Sequence, residues 1–515
     1  MRLPEAPTLS FVAAVVAAAA GLAGCATSSI DLAPQAADRP WLPQTTPAGQ
    51  IVPAPQKAVP DTGRHDYTLP ANHALGSVAS AGEFDPARTY TLPDLIDLAE
   101  SANPLTRIAW NDARNAALAV GIAKSAYLPQ LSVAAMGRYL SGHSSSSTEL
   151  GDSGVDATSR SAVSALSLQW LLFDFGGRAA RVEAAKQGSI VANIAFTGLH
   201  QQVIHDVTVA YYRYQAAHAR VRTARQALDN ADAIVAAARA RFKQGTGTVV
   251  EVAQATQNRA QANLAFVEAQ GADSDAYLSV VSALGISPLS KPMLAELPVQ
   301  PLSPALRTSV DEIVASAIAR RPDVLSAYAA EKASDAKIRA AQAEFMPKVF
   351  MSASASYNAS RSAITALPAI GQQAPTVNLN GSRYGGSVFV GVSIPLYDGG
   401  LRSAVLMQAR NDAQSAQARL ERTKEEAVRQ IVAAQNALQT SLASHEAAKA
   451  LVDAARTSYD AALTAYRNGV GSITDATLAQ SQLLVATNAY VDSYSGALSA
   501  AAALALATGT IGAPQ

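Results

Sequence analysis

The sequence lacks an excess of charge of either sign. It carries 40 Lys and Arg residues against 40 Asp and Glu residues, and only 16% of its 515 residues are charged. A nucleic-acid-binding protein needs a basic field on the surface that meets the phosphates. The composition therefore argues against a nucleic-acid partner.

Long hydrophobic runs are also missing beyond residue 25. A membrane-spanning helix takes about 20 consecutive apolar residues, and the Ala-rich stretch 500–507 is too short and too weakly hydrophobic. We therefore do not expect an inner-membrane protein. Any contact of the body of the chain with a membrane must come from strands.

Recognisable catalytic and cofactor motifs are absent. The seven histidines are scattered, and no pair has the HExxH spacing of a metal site. The sequence has no GxxxxGK[ST] loop, and Gly399-Gly400 follows a predicted strand without the context of a phosphate site. We predict that the protein is not an enzyme and has no catalytic residue, metal or cofactor. Energy for any transport must then come from a partner.

Cysteine is nearly absent, and the one that occurs has an informative position. Cys25 is the only cysteine, so no disulfide framework is possible. It follows the apolar run 11–24, which is too short to span a bilayer comfortably. Small residues before a lone cysteine resemble a bacterial lipoprotein signal. This predicts a signal peptide over 1–24, a lipid on Cys25 and, because Ala26 follows, delivery to the outer membrane. The alternative is an ordinary signal peptide with an incidental cysteine.

Residues 25–88 are rich in Pro, Ala, Gln and Thr. Eight prolines from Pro34 to Pro70 exclude a helix or a central strand. We predict an extended tether between a membrane-held N-terminus and the body of the protein.

From residue 89 onward the chain repeats itself. The clearest matches are Asn103-Pro104 with Arg321-Pro322, Tyr127-Leu128-Pro129 with Phe345-Met346-Pro347, Phe173-Asp174 with Tyr397-Asp398, and Phe242 to Gly247 with Tyr466 to Gly471. The offset is 218 residues up to Pro347 and 224 from Asp398 onward. We predict a first repeat over 89–286, a connector over 287–308, a second repeat over 309–510 and a tail over 511–515.

Each repeat contains two segments in which apolar and polar residues alternate with the period of a β-strand. The predicted hairpins cover 130–173 and 348–397. Strands of about ten residues fit a tilted transmembrane β-strand that turns apolar side chains toward lipid. Half-buried soluble strands are the alternative for any single segment. The Ser- and Gly-rich stretches 141–160 and 358–385 are predicted to be long extracellular loops.

After its hairpin, each repeat predicts one very long helix. In the first repeat, large residues recur every seven positions from Val207 to Phe242, and alanine lies three residues after each of the first five. This spacing specifies left-handed supercoiling, and the alanines let helices approach closely. About 68 residues make about 100 Å of helix. His445, at the seam position of Val221, is interpreted as a polar seam residue, with a functional role as the alternative.

Glycine pairs end both long helices. Turns are predicted over 244–250, with Gly245 and Gly247, and over 468–474, with Gly469 and Gly471, and a return helix follows each turn.

The two hairpins supply only four strands, which cannot close a membrane barrel. Open strand edges are not tolerated in lipid. The barrel must therefore be completed by other copies of the chain, most simply in a cyclic oligomer.

Together these features resemble the TolC family of outer-membrane efflux proteins over about residues 90 to 510. The resemblance is carried by the duplicated unit, the Phe/Tyr-Asp-x-Gly-Gly style motif that opens each long helix, and the Gly-x-Gly turns. It implies a mostly α-helical chain of coiled-coil helices with a β-barrel part, assembled as a homotrimer with twelve strands, four from each chain. A helical tunnel would cross the periplasm and meet a periplasmic adaptor protein and an inner-membrane pump at its tip.

The resemblance also implies a constriction just beyond the tip turns. The matching positions are Thr248, Glu251, Tyr466, Arg467, Ser472 and Asp475. Inward acidic rings would favour cations, or Glu251 and Asp475 are first-turn carboxylates favoured by the helix dipole. Gly471 stands where some family members have a basic residue, so one closed-state salt bridge of the family lacks its partner here.

The function implied is that of a passive exit duct in the outer membrane, part of a tripartite efflux system. The alternatives are the exit duct of a type I protein secretion system and, second, a non-conducting structural coiled-coil lipoprotein. The sequence does not indicate the cargo or the class of pump.

Overall fold

The computed structural model describes residues 32–33, 41, 43–53, 68–76, 85, 87–148, 151–298, 310–367 and 376–512. The predicted signal peptide, Cys25, much of the predicted tether, residues 299–308 of the predicted connector and residues 513–515 lie outside the described residues. The chain divides into two units, Met1–Ala81 and Gly82–Gln515.

The first unit contains a small hairpin. Strands β1 (Pro43–Thr45) and β2 (Ile51–Pro53) pair antiparallel. Both are edge strands, where proline is tolerated, so the hairpin is compatible with the proline content of this segment. A 3-10 helix follows at His73–Leu75, and the Asn72 side chain caps it by accepting a hydrogen bond from Ala74 N at 3.1 Å.

The second unit has the same order of helices and strands in both repeats. Strand β3 (Thr89–Tyr90) comes first. The first repeat then contains α1 (Leu92–Ala102), α2 (Pro104–Ser125), β4 (Gln130–Thr148), β5 (Gly151–Phe173), α3 (Gly177–Lys243) and α4 (Val249–Leu284). The connector holds β6 (Met293–Leu294), which pairs parallel with β3. The second repeat contains α5 (Val310–Ala317), a 3-10 turn (Ile318–Arg320), α6 (Pro322–Ala343), β7 (Lys348–Leu367), β8 (Thr376–Ser393), α7 (Leu401–Arg467) and α8 (Ile473–Ala507).

The opening helix of each repeat breaks at a proline, which then occupies the first position of the next helix. The residue before each proline ties this new helix to the end of the return helix. Asn103 Nδ2 donates to Ala283 O at 3.2 Å, and Arg321 Nη1 donates to Ala507 O at 2.7 Å. Two different side chains thus make the same connection in the two repeats.

The strands of both hairpins form one antiparallel sheet in the order β4-β5-β7-β8. The central pairing of β5 with β7 joins the two repeats, and β4 and β8 are the sheet edges. Strand β8 ends at Ser393, short of the predicted boundary at 397, because Pro395 has no N–H to donate to a ladder.

The prediction of long loops over 141–160 and 358–385 is wrong, because the strands continue through both stretches. Only 149–150 and 368–375 separate the paired strands, and these residues lie outside the described ones. The ladder hydrogen bonds are made by the backbone, so a Ser- and Gly-rich sequence can extend a hairpin whose register is already set.

The long helices α3 and α7 have 67 residues each, which corresponds to about 100 Å. Most of the seven-residue seam is buried, as the spacing predicts; its buried members are Val207, Ala217, Ala224, Leu228, Ala231, Val235, Ala238, Ile431, Leu438, Ala448, Ala455, Tyr459 and Tyr466. The last seam position differs between the repeats. Phe242 is 50% exposed, whereas its counterpart Tyr466 is 1% exposed.

His445 lies at a contact between α7 and α8. Its ring stacks on Tyr490 with centroids 4.9 Å apart, and its Nδ1 lies 3.1 Å from Ser493 Oγ. Burial lowers the pKa of His445, and the charge of Lys449 lowers it further. The structure thus places it in a packing contact, in line with a polar seam residue.

Among the described residues, no helix is both long enough and apolar enough to cross a membrane.

Candidate functional site at the tip turns

The turn between α3 and α4 and the turn between α7 and α8 have the same backbone geometry. Gly245 (φ 75°) and Gly469 (φ 80°) adopt the left-handed conformation, which glycine reaches without steric strain. In each turn, the backbone amides of the next two residues donate to the same carbonyl oxygen, at 3.0 and 3.1 Å. That oxygen belongs to Arg241 in the first turn and to Ala465 in the second. Each long helix therefore ends in a tight, fully hydrogen-bonded reversal.

The second glycine of each turn is required for space rather than for its φ angle. A Cβ atom on Gly247 would lie 3.0 Å from Phe242 N, and one on Gly471 would lie 2.9 Å from Ala465 Cβ. Both distances are below normal van der Waals contact, so a side chain at either position would force the turn open.

A hydroxyl caps the return helix after each turn. Thr248 Oγ1 accepts a hydrogen bond from Glu251 N at 3.2 Å, and Ser472 Oγ accepts one from Asp475 N at 3.1 Å. Ser472 Oγ also donates to Asp475 Oδ2 at 2.7 Å. Both acidic residues lie in the first helical turn, where the helix dipole favours negative charge.

Glu251 has a second set of contacts, which crosses from one repeat to the other. The Tyr466 hydroxyl on α7 donates to Glu251 Oε2 on α4 at 3.0 Å. Arg241 Nη1 on α3 donates to the backbone oxygen of Tyr466 at 2.8 Å. The Arg241 guanidinium also lies over the Tyr466 ring, 4.9 Å from its centroid, and its Nε is 3.9 Å from Glu251 Oε2. We call Arg241, Glu251 and Tyr466 the tip network.

The tip network lies against a buried apolar cluster. Ile234, Ala238, Tyr459, Ile473 and Ala476 form the centre of this cluster together with Tyr466. Burial, followed by the nearby Glu251 carboxylate, raises the pKa of Tyr466 to about 12, and Arg241 opposes the rise. The hydroxyl therefore keeps its proton at neutral pH and remains a donor to Glu251.

The repeat-related place in the second turn cannot form this network. Along the 224-residue offset, Arg241 corresponds to Ala465, Tyr466 to Phe242 and Glu251 to Asp475. The guanidinium and the hydroxyl are both missing there, so the tip network has no repeat-related second copy among the described residues.

The predicted site residues divide into groups in the structure. Glu251 and Tyr466 meet in the tip network, and Thr248, Ser472 and Asp475 make the caps. Arg467 is exposed at the end of α7 and has no salt bridge within the described part of the chain. Sequence reasoning missed Arg241. The sequence contained one indication of its role: the first repeat has arginine at position 241, where the second repeat has Ala465. Both positions directly precede the turn motif.

No group of three or more His, Cys, Asp or Glu side chains in the described ranges could hold a metal ion. The described tip contains hydrogen bonds, the Arg241–Glu251 ion pair, a cation–π contact between Arg241 and Tyr466, and apolar packing.

Comparisons with known proteins agree with this architecture. A family model described as Outer membrane efflux protein matches residues 95–286 and 313–510, which include both repeats. Protein CyaE of Bordetella pertussis is 30% identical over 423 residues, covering 82% of this chain and 84% of that protein. Outer membrane efflux protein BepC of Brucella suis is 27% identical over 403 residues, covering 77% of this chain and 80% of that protein.

Solved structures share the fold. The outer membrane protein VceC from Vibrio cholerae superposes with a TM-score of 0.67 at 21% sequence identity, covering 81% of this chain and 96% of that one. The duplicated architecture, the tip turns and the family match over both repeats together establish that the chain belongs to the outer membrane efflux protein family.

Proposed function

We propose that the chain forms a passive exit duct in the outer membrane, as part of a tripartite efflux or type I secretion system. The observation that carries this function is the family match over both repeats. The chain has no nucleotide-binding loop, so a pump in the inner membrane must supply the energy and select the cargo. The duct itself is not an enzyme.

The open sheet edges support a homotrimer. Strands β4 and β8 have no partner on their outer sides within the described residues, and lipid does not tolerate such edges. In the proposed assembly, β8 of one copy pairs with β4 of the next. Three copies of four strands make a twelve-stranded barrel, with the long helices forming the wall of a tunnel through the periplasm.

The tip network supports a closed resting state of this tunnel. It links three helices from both repeats, and Glu251, Thr248, Ser472 and Asp475 lie at the turns where the family narrows. The repeat-related counterpart of Tyr466 is Phe242, which has no hydroxyl to donate. Separating the helices at the tip would break the tip network and open the duct.

The outer surface of the tip supports docking of a periplasmic adaptor. Val470 is 83% exposed, and Val249 and Val250 beyond the first turn are 66% and 60% exposed. Exposed apolar side chains at rigid glycine turns, or directly after them, are suited to a protein partner. Gly245, Gly247, Gly469 and Gly471 would hold these side chains in position for the adaptor. Planar-bilayer conductance of the purified protein tests the duct itself, and a non-conducting structural lipoprotein would give no current.

We expect Cys25→Ser to abolish acyl labelling while leaving channel formation intact, because the anchor and the duct are separate parts. In this proposal a signal peptide over 1–24 is removed, the lipid is attached to Cys25, and residues 25–88 tether it to the repeats. Metabolic labelling with a palmitate analogue, followed by membrane fractionation, measures the effect. Cys25→Ala is the matched second variant. Labelling that persists in either variant would refute lipidation at this position.

A further inference from the structure

The register of the four-stranded sheet assigns the side chains of both hairpins to two faces. Directly opposed residues of an antiparallel pair project to the same side, so Leu131, Leu168, Ala353 and Val388 form one row. We call this side the apolar face; it is defined by Leu131, Val133, Leu166, Leu168, Met351, Val388, Val390 and Val392. The opposite side, the serine face, contains the row Ser132, Ser167, Ser354 and Ser387.

Tyrosines border the apolar face toward the ends of the hairpins. Tyr357 and Tyr384 are directly opposed, with ring centroids 4.8 Å apart, and Tyr384 is 83% exposed. Tyr139 lies on the same face of β4 and is 61% exposed. Tyrosine is enriched where a membrane-spanning surface reaches the lipid headgroups. These three residues therefore mark one boundary of the lipid-facing band.

Two arginines lie on the apolar face at this boundary. Arg160 of β5 and Arg361 of β7 are directly opposed, and both side chains are exposed. Arg160 lies over the Tyr139 ring, 5.6 Å from its centroid.

Trp170 lies on the same face near the other end of β5. It is ten residues from Arg160 along the strand, which corresponds to about 33 Å. At a tilt of about 45° this spans about 23 Å of depth, close to the apolar height of about 25 Å in membrane barrels.

The arginine pair has no internal counter-charge within the described part of the sheet. Like charges directly opposed in a sheet destabilise it. Within the described residues, neither Arg160 nor Arg361 forms a salt bridge with a carboxylate. Asp156, further along the same face, instead lies 2.6 Å from His143 Nδ1. An external anion would relieve the repulsion between the two guanidinium groups.

A hollow of about 490 Å³ adjoins the pair. Arg160, Arg361, Asn380 and Ser382 line it on the apolar face. Two guanidinium groups beside an amide and a hydroxyl match the oxygen atoms of a phosphate group, to which arginine can donate two hydrogen bonds at once.

The geometry points to a lipid phosphate site on the outside of the sheet, in which Arg160 and Arg361 bind a phosphate of an anionic lipid. The site lies toward the hairpin ends and away from the helices, so the lipid belongs to the outer leaflet. There the phosphorylated glycolipid lipid A presents such groups. This inference rests on the proposed seating of the apolar face in the outer membrane.

Native mass spectrometry of the full-length protein, titrated with bisphosphorylated or phosphate-free lipid A, tests the site. We expect the wild-type protein to bind the phosphorylated lipid preferentially, and Arg160→Gln with Arg361→Gln to weaken that binding by roughly thirtyfold. The matched control is Arg138→Gln with Arg383→Gln. It removes two arginines from the serine face of the same sheet and should leave binding unchanged. The same spectra report whether each variant assembles.

Unchanged lipid binding in the Arg160/Arg361 variant would overturn the site, as would an equal loss in the serine-face control. Equal binding of phosphate-free lipid A would show that phosphate is not recognised. Competition by millimolar inorganic phosphate would assign the pair to free phosphate rather than lipid and would also reject the proposal. Bilayer conductance of the wild-type protein tests the proposed duct separately. A protein that conducts but shows no preference for phosphorylated lipid A would contradict the lipid site and leave the duct intact.

Discussion

Tyr466→Phe combined with Arg241→Ala is expected to raise solute release through the reconstituted duct by roughly tenfold or more. The double variant removes the donor to Glu251 Oε2 at 3.0 Å and the donor to Tyr466 O at 2.8 Å. A hydrogen bond to a charged group contributes about 1.5–3 kcal/mol, and about 1.4 kcal/mol shifts an equilibrium tenfold. Release of an encapsulated dye from proteoliposomes measures the change in the open population.

Two control variants separate the tip network from general effects of charge near the turn. Arg239→Ala removes an exposed arginine two residues before Arg241 on the same helix. Lys243→Ala removes an exposed lysine two residues after Arg241. Neither should change dye release by more than about twofold, because each contributes at most a weak exposed interaction. A double variant that releases dye at the wild-type rate would refute the network as a closing element.

The pH dependence of the wild-type channel follows from the same network. The pKa of Tyr466 is raised to about 12 in the folded protein, above an unfolded value of about 10. Its contribution is therefore complete below about pH 10 and is lost as the pH rises through about 12. Titration of Tyr466 should add no change in release between about pH 6 and 9. A change in release between about pH 6 and 9 that occurs in the wild type and is lost in Tyr466→Phe would contradict the raised pKa of Tyr466.

Arg178→Ala is expected to destabilise the junction between sheet and helix by roughly 3–5 kcal/mol, far more than Arg402→Ala at the matching position of the second repeat. Arg178 is 5% exposed. Its guanidinium donates to Ala126 O at 3.2 Å, to Leu172 O at 3.0 Å and to Leu171 O, and its Nε lies 3.3 Å from Asp174. Truncation would leave three carbonyl groups without this donor and the buried Asp174 carboxylate without its ion-pair partner.

The second repeat supplies a matched control for this prediction. Arg402 bonds to Asp398 at 2.7 Å and to Pro395 O at 3.1 Å. The side chains of Arg402 and Asp398 are 15% and 28% exposed, whereas those of Arg178 and Asp174 are 5% and 8% exposed. In Arg402→Ala, water can therefore hydrate more of the groups that lose a partner. The apparent thermal midpoint of the assembled protein measures both variants. Equal shifts for Arg178→Ala and Arg402→Ala would show that burial does not decide the effect.

Sequence periodicity was a good guide to the helices and a poor guide to the ends of the strands. Prolines and glycines act through the local backbone, so the breaks before Pro104 and Pro322 and the reversals at Gly245 and Gly469 could be predicted. The stretches 141–160 and 358–385 could not, because strand pairing there depends on a partner strand rather than on the composition of the segment itself.

The tip network illustrates a second limit. Glu251 and Tyr466 could be proposed from their places beside the turns, but their contact joins residues 215 positions apart. Arg241 belongs to the same contact, and only folding of the second repeat against the first brings it to Tyr466. Comparison of the repeats shows that an arginine in one copy is an alanine in the other, although the partner of that arginine is visible only in three dimensions.

The most direct test of the proposed duct is the single-channel conductance of the purified full-length protein in planar bilayers, recorded for the wild type and for Tyr466→Phe combined with Arg241→Ala. We expect a small wild-type conductance, because the tip is closed at rest, and a clearly larger one for the variant, with the same oligomeric assembly in both. An assembled, membrane-inserted protein that carries no current in either form would contradict the duct and leave a structural lipoprotein as the better account.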